Sequence, residues 1–203
     1  GIAYEEYRER LKRMFNGYRF GPENPITVYN PVSTGLTFEG QKRYFRPTWT
    51  ETGRPSMLMN YLKREDLLAL DYNEITSIDY SEFDVSDIRH LKPVAMLFQT
   101  GYLTIKDYNP LIQEFTLGIP DDEVRRDLGL LLTSVSAGIA DSQAASLGLK
   151  LLKGKWDEVF VGLQAIYAHL PYGSMEHRVA EFSYQRSLCC LLDGAGIHWR
   201  SED

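Results

Sequence analysis

The sequence is poor in the features that would mark a membrane protein, a secreted protein or a self-contained enzyme. It has no run of eighteen or more apolar residues, so no helical membrane span is expected. The opening residues Gly1-Ile2-Ala3-Tyr4-Glu5-Glu6 lack the basic and apolar regions of a secretory signal. There are two cysteines, Cys189 and Cys190, adjacent in a helical pattern, where neighbours point about 100° apart. Buried thiols in a reducing cytoplasm are the expectation, ahead of a metal or redox pair. No Gly-x-x-x-x-Gly-Lys-Ser/Thr, His-Glu-x-x-His, Cys-x-x-Cys or Gly-x-Ser-x-Gly occurs. Gly148-Leu149-Lys150 has no glycine-rich loop ahead of it. The four histidines are scattered, and Glu176-His177 with Glu181 reads as a solvated helix face ahead of metal spacing. An excess of basic residues is missing too: the net charge is −6, which argues against sequence-independent nucleic-acid binding.

What is present is a chain of 203 residues with ordinary apolar and charged fractions, enough for one large domain or two small ones. Tyr4, Tyr7, Leu11, Met14 and Phe15 recur at helical spacing, predicting an amphipathic helix over 4–16 that Asn16-Gly17 stops. Arg8, Lys12 and Arg13 interleave with Glu5, Glu6 and Glu9, so this basic cluster reads as a solvated face. A second cluster lies at Lys42, Arg43 and Arg46. Gly17-Tyr18-Arg19-Phe20-Gly21 reads as a turn and Ile26 to Pro31 as a short strand. The flanking glycines either present Arg19 to a ligand or let Tyr18 and Phe20 anchor a loop. A loop-rich connection is expected over 32–53. Thr52-Gly53-Arg54-Pro55 would open a helix carrying Met57, Leu58, Tyr61 and Leu62, with a shorter helix at 65–70 and an edge strand within 75–83.

Asp84 or Ser86 would cap a helix carrying Ile88, Leu91, Val94, Ala95, Leu97 and Phe98, with Pro93 marking a kink or a fresh start. After Gly101 the pattern becomes a hairpin, Tyr102 to Ile105 and Glu114 to Pro120, turning at Asn109-Pro110. A helix followed by a hairpin is the arrangement of a winged-helix wing, which can serve DNA binding, protein binding or structure alone. Asp121 would cap the next helix, with Asp122 and Glu123 complementing its dipole. The small, polar stretch from Thr133 to Ser142 is the expected boundary between segments 1–133 and 134–203. Helical faces follow at Ala144, Leu147, Leu151 and Leu152, at Val159, Leu163, Ile166 and Tyr167, and at Val179, Phe182, Leu188, Leu191 and Leu192. Ile197-His198-Trp199 reads as the start of a strand, and the natural chain is expected to continue. The fold class is therefore mainly α with a small β-hairpin, an α+β chain in which a winged-helix-like or lid portion precedes a helical segment.

The blocks Asn16 to Gly21, Val28 to Ser33, Thr52 to Pro55, Gln99 to Ile105 and Thr116 to Arg125 resemble, in that order, the region after the nucleotide-binding core in a bacterial AAA-ATPase-like family. Members of that family carry a C-terminal PD-(D/E)XK nuclease-like domain, and Gly154 to Asp157, Leu170 to Tyr172 and the helix bearing Glu181 and Tyr184 resemble the lead-in to it. The resemblance implies a cytoplasmic fragment that lies between the phosphate-binding loop and the nuclease motif and contains neither. No cofactor is then expected in the fragment, with ATP and Mg²⁺ belonging to the parent protein. Arg19 and Asn30 would lie in the lid over the nucleotide, and Glu181 would match a glutamate supporting the nuclease metal. The implied partners are the rest of the parent chain, a homo-oligomer, and nucleic acid through the parent, with no membrane. Coupling of the nucleotide-binding part to the nuclease-like part is the implied role, with protein interaction, oligomerisation or DNA binding through the wing as alternatives.

Overall fold

The computed structural model describes residues 3–39, 45, 48–49, 58, 71–78, 92–168 and 177–200, with side-chain placement excluded at 77–78, 136–137 and 177–183. The chain is α+β, and among the described residues helices predominate over two small antiparallel sheets. It divides into two compact units, one of Gly1–Leu58 with Asp71–Val124 and one of Met59–Leu70 with Arg125–Asp203.

In the first unit, helix α1 (Tyr4–Phe15) carries Glu5 and Glu6 at its start and Lys12 and Arg13 at its end, charges that suit the helix dipole. It buries Met14 and Phe15, and Phe45 packs against the rings of Tyr7 and Phe15. Asn16 turns extended, and strand β1 (Asn16–Tyr18) pairs antiparallel with β2 (Val28–Tyr29). Gly17 is required here, because the Pro120 carbonyl occupies the place a Cβ would take.

Helix α2 (Pro31–Glu39) corrects the expectation of a loop from residue 32. Its start is set by Pro31 and by Asn30, whose Oδ1 accepts from the amides of Val32 and Ser33 at 3.0 and 3.3 Å. Its buried face includes Ser33 and Thr37, with the Thr37 hydroxyl donating to the Ser33 carbonyl. A helix that buries hydroxyls shows no apolar stripe in the sequence. The expected helices at 54–62, 65–70 and 84–91, and the cluster at Lys42, Arg43 and Arg46, lie outside the described residues, Leu58 apart.

Strand β3 (Ile75–Ile78) is an edge strand, and α3 (Pro93–Gln99) begins afresh at Pro93, where the missing N–H costs no helical bond. Strands β4 (Thr104–Asn109) and β5 (Glu114–Gly118) form the expected hairpin, but β5 also pairs with β3, giving the antiparallel order β3-β5-β4. Ile105 lies opposite Leu117, and Tyr108 opposite Phe115 with ring centroids 4.5 Å apart. Ile105, Phe115 and Leu117 enter the core.

Helix α4 (Asp122–Ala137) starts in the first unit and continues into the second, so the boundary expected at 133/134 falls within it. The second unit adds α5 (Asp141–Leu152), α6 (Trp156–Ala168) and α7 (His177–Gly194). Leu147, Val159, Ile166 and Leu191 form its core, with Ile139, Leu151, Leu163 and Tyr167 packed around them. Cys190 is buried and its thiol is pushed up to about 12, chiefly by burial, while Cys189 is half-buried. The strand expected at 197–199 does not form. The Ile197 amide instead donates to the Leu192 carbonyl, and Trp199 Nε1 to Asp193 Oδ1 at 3.0 Å, folding the segment back over its own helix end.

Helices α4 and α7 approach at backbone distance. A Cβ on Gly129 would stand 2.5 Å from Gly194 N and 2.6 Å from the Cys190 carbonyl. Gly129→Val is therefore expected to lower unfolding free energy by about 2 kcal/mol or more, read by chemical denaturation. A neutral result would show that the helices separate at no cost.

Candidate functional site

The blocks separated in sequence at Asn16 to Tyr18, Asn30 to Ser33, Thr48-Trp49 and Gly118 to Glu123 meet at one buried polar centre in the first unit. Its anchor is Glu123, which is fully buried. Oε1 accepts from the backbone amides of Thr48 at 2.5 Å and Trp49 at 3.1 Å. It also lies 3.1 Å from Thr48 Oγ1, which is 3.0 Å from Ser33 Oγ. Each hydroxyl has one proton, so Ser33 can donate to Thr48 while Thr48 donates to Glu123.

Asp121 stands one residue ahead of α4. Its Oδ1 accepts from the Val124 amide at 2.9 Å, the N-cap bond expected from the sequence. Its carboxyl is raised to about 8, first by burial and then by the neighbouring charges of Glu123 and Asp122, against the opposing pull of the Val124 amide and Lys106. Tyr18 points its buried hydroxyl into the same centre, and burial, together with Asp121 and Glu123, pushes the phenol up. Asn30 lies beside that hydroxyl and acts to lower the phenol against the effect of burial, while its Oδ1 accepts the two α2 cap bonds. Among the described residues, Asp121 Oδ2, Glu123 Oε2 and the Tyr18 hydroxyl have no hydrogen-bond partner.

The surround is aromatic and cationic. Tyr18 stacks between Phe20 and Trp49 at centroid distances of 6.5 and 6.2 Å, and Trp49 meets Tyr102 edge-on at 5.8 Å. Gly101, at φ +81°, leaves room for the Trp49 ring, 2.9 Å from where a Cβ would sit. Lys106 Nζ donates to the Pro120 carbonyl at 3.4 Å, and Arg13 pairs with Asp122 at 2.9 Å on the outer side of the same turn.

Of the residues expected to contact a ligand, Asn30 lies at this centre as the cap of α2. Arg19 is directed elsewhere: its guanidinium donates to the carbonyls of Gly21, Lys106 and Pro22. Its backbone exchanges hydrogen bonds with Thr104 Oγ1 at 2.8 and 3.2 Å, tying the end of β1 to β4. Glu181 belongs to α7, and its side chain lies outside the described residues. Among the described residues no group of three or more His, Cys, Asp or Glu could hold a metal.

Sequence reasoning read Glu123 as a first-turn complement to the helix dipole and did not reach its burial. The missed signal was periodicity: three back from Val124 is Asp121, four back from Leu131 is Asp127, and four back again is Glu123, and all three are buried.

Comparison with known proteins gives an uncharacterized protein of the vnfD 5′ region of Azotobacter chroococcum mcd 1, 37% identical over 125 residues. The match covers 60% of this chain and 23% of the relative, so the chain spans about a quarter of that protein's length. Neither the models of known families nor the solved structures give a match.

Glu123→Ala would strand the amides of Thr48 and Trp49 in the interior, a loss expected to cost about 3 kcal/mol. Glu123→Gln keeps an acceptor oxygen and should cost less. Denaturation curves showing equal losses for both variants would contradict this role for Oε1.

Proposed function

We propose that the chain is a non-catalytic middle portion of a longer ATPase and nuclease-like protein, coupling a nucleotide-binding part to a nuclease-like part. The observation that carries this reading is the path of α4. Its first turn is held in the first unit by Asp121 and Glu123, and the same helix continues into the second unit. A change in the packing around residues 16–18, 30–33 or 48–49 therefore acts on the root of a helix shared by both units. The blocks on which the family resemblance rests include those gathered at this root. Support for a winged-helix-like first part comes from the strand order β3-β5-β4, with the hairpin following α3. The coverage of only 23% of the Azotobacter relative fits a role as one portion of a larger protein.

A second reading, protein interaction or oligomerisation through the helical part, is favoured by the exposure of Leu149 and Leu152 on α5 and of Trp156, Phe160 and Val161 on α6. DNA binding through the wing has less support. The hairpin tip presents Leu111, 92% exposed, and Ile112 to solvent, between strands carrying Asp107 and Glu114.

The coupling role predicts that the purified chain, supplied with Mg²⁺ or Mn²⁺, neither hydrolyses ATP nor cleaves DNA. Metal-dependent turnover that co-purifies with the chain would overturn it. For the second reading, sedimentation should show self-association that Trp156→Lys with Phe160→Lys weakens at least tenfold, whereas a strict monomer would remove it.

A further inference from the structure

The buried centre has a property that a purely structural polar core does not need. It places two carboxyl groups, two residues apart, behind the first turn of one helix, and leaves an oxygen of each without a hydrogen-bond partner among the described residues. One of them, Glu123, holds the 48–49 segment through three donors, and the other caps the helix. Two ionised carboxylates in such a site repel each other and lack solvation, and a proton on Asp121 relieves both costs.

We propose that this cluster is a proton-operated latch: with Asp121 protonated, the first turn of α4 is closed on the Thr48-Trp49 segment and β1, and with Asp121 ionised that turn opens. This goes beyond the coupling role and stands without it.

The groups facing Asp121 decide the direction. From β1 comes the Tyr18 hydroxyl, from β4 Lys106, and from α4 itself Asp122 and Glu123; Tyr102 contributes a further phenol beside Tyr18. Lys106 is the cation that acts on Asp121, and it also donates to the Pro120 carbonyl. Arg13, from α1, pairs with Asp122. Ionisation therefore adds a second buried negative charge that this set offsets only in part. With its carboxyl raised to about 8 from the ordinary value of about 4, the folded chain holds a proton that the unfolded chain has released. Stability is therefore highest below about pH 4 as far as this group is concerned, falls as pH rises towards 8, and levels off above it. The weak point lies where the repulsion acts, between the α4 turn and the strand and segment it clamps. Gly17 against the Pro120 carbonyl leaves no slack on the β1 side, so any separation breaks that contact too.

Amide hydrogen exchange on the full chain, followed residue by residue from pH 6 to pH 9.5 and corrected for intrinsic rates, tests the latch. The amides of Thr48, Trp49 and Val124 are expected to lose protection at least tenfold as pH rises from 6 and to level off near the Asp121 value, while core amides such as Leu131 hold theirs. In Asp121→Asn, which keeps the capping oxygen and cannot ionise, the loss should shrink to less than threefold. Lys106→Met removes the cation that favours the ionised form, so it should move the pH at which the loss levels off upwards. Unchanged protection in the native chain, an equal loss in Asp121→Asn, or a levelling-off pH in Lys106→Met that stays put or falls would each overturn the proposal. Should Asp121→Asn fail to fold, the direction of the Lys106→Met shift decides alone. Because no nucleotide or nuclease activity enters the measurement, its failure leaves the coupling reading untouched.

Discussion

The first unit depends on one carboxylate. Glu123 is fully buried and its Oε1 gathers two backbone amides and a hydroxyl from a segment 75 residues earlier in the chain. A buried charge is tolerated only where donors replace water, and here the donors are backbone groups that would themselves be orphaned without it. The neighbouring features follow from the need to keep that site closed. Gly17 admits the Pro120 carbonyl, Gly101 admits the Trp49 ring, and Asp121 secures the helix start from which Glu123 projects.

The second unit is held by a different kind of contact. Its helices pack through Leu147, Val159, Ile166 and Leu191, and through glycines where α4 meets α7. Gly129 and Gly194 each stand against backbone of the other helix, and Gly148 against Ala195. Packing of this kind tolerates little change in volume, because backbone atoms of the facing helix stand 2.5 to 3.0 Å from where a Cβ on Gly129 or Gly194 would sit. The exposed apolar residues of α5 and α6 fall outside this core, which is why the interaction reading rests on them.

Much of the architecture was legible from local rules. The periodicity of α1, the fresh start at Pro93, the hairpin after Gly101 and the Asp121 cap all depend on residues close in sequence, where propensity and spacing act directly. Other features were not. Helix α2 buries hydroxyls and so carries no apolar stripe. Residues 197–199 alternate like a strand, but Trp199 is drawn back to Asp193. Arg19, flanked by glycines, gave no sign that its guanidinium would be occupied by three carbonyls, one of them on β4. The third strand of the sheet was visible as a strand, but not its partner, since pairing across 40 residues leaves no local trace.

The amino-acid sequence alone determined the mainly helical α+β class, the helix of Tyr4–Phe15, the start at Pro93, the hairpin after Gly101 and the Asp121 cap, because these follow from short-range sterics, capping and periodicity. Only the tertiary structure decided that Asp121 and Glu123 face inward, that Tyr18 and the 48–49 segment meet them, and that one helix begins in one unit and continues into the other. The reason is the same in each case: the charge state and hydrogen bonding of a carboxylate depend on which distant groups replace its water. That choice is made when the chain closes on itself.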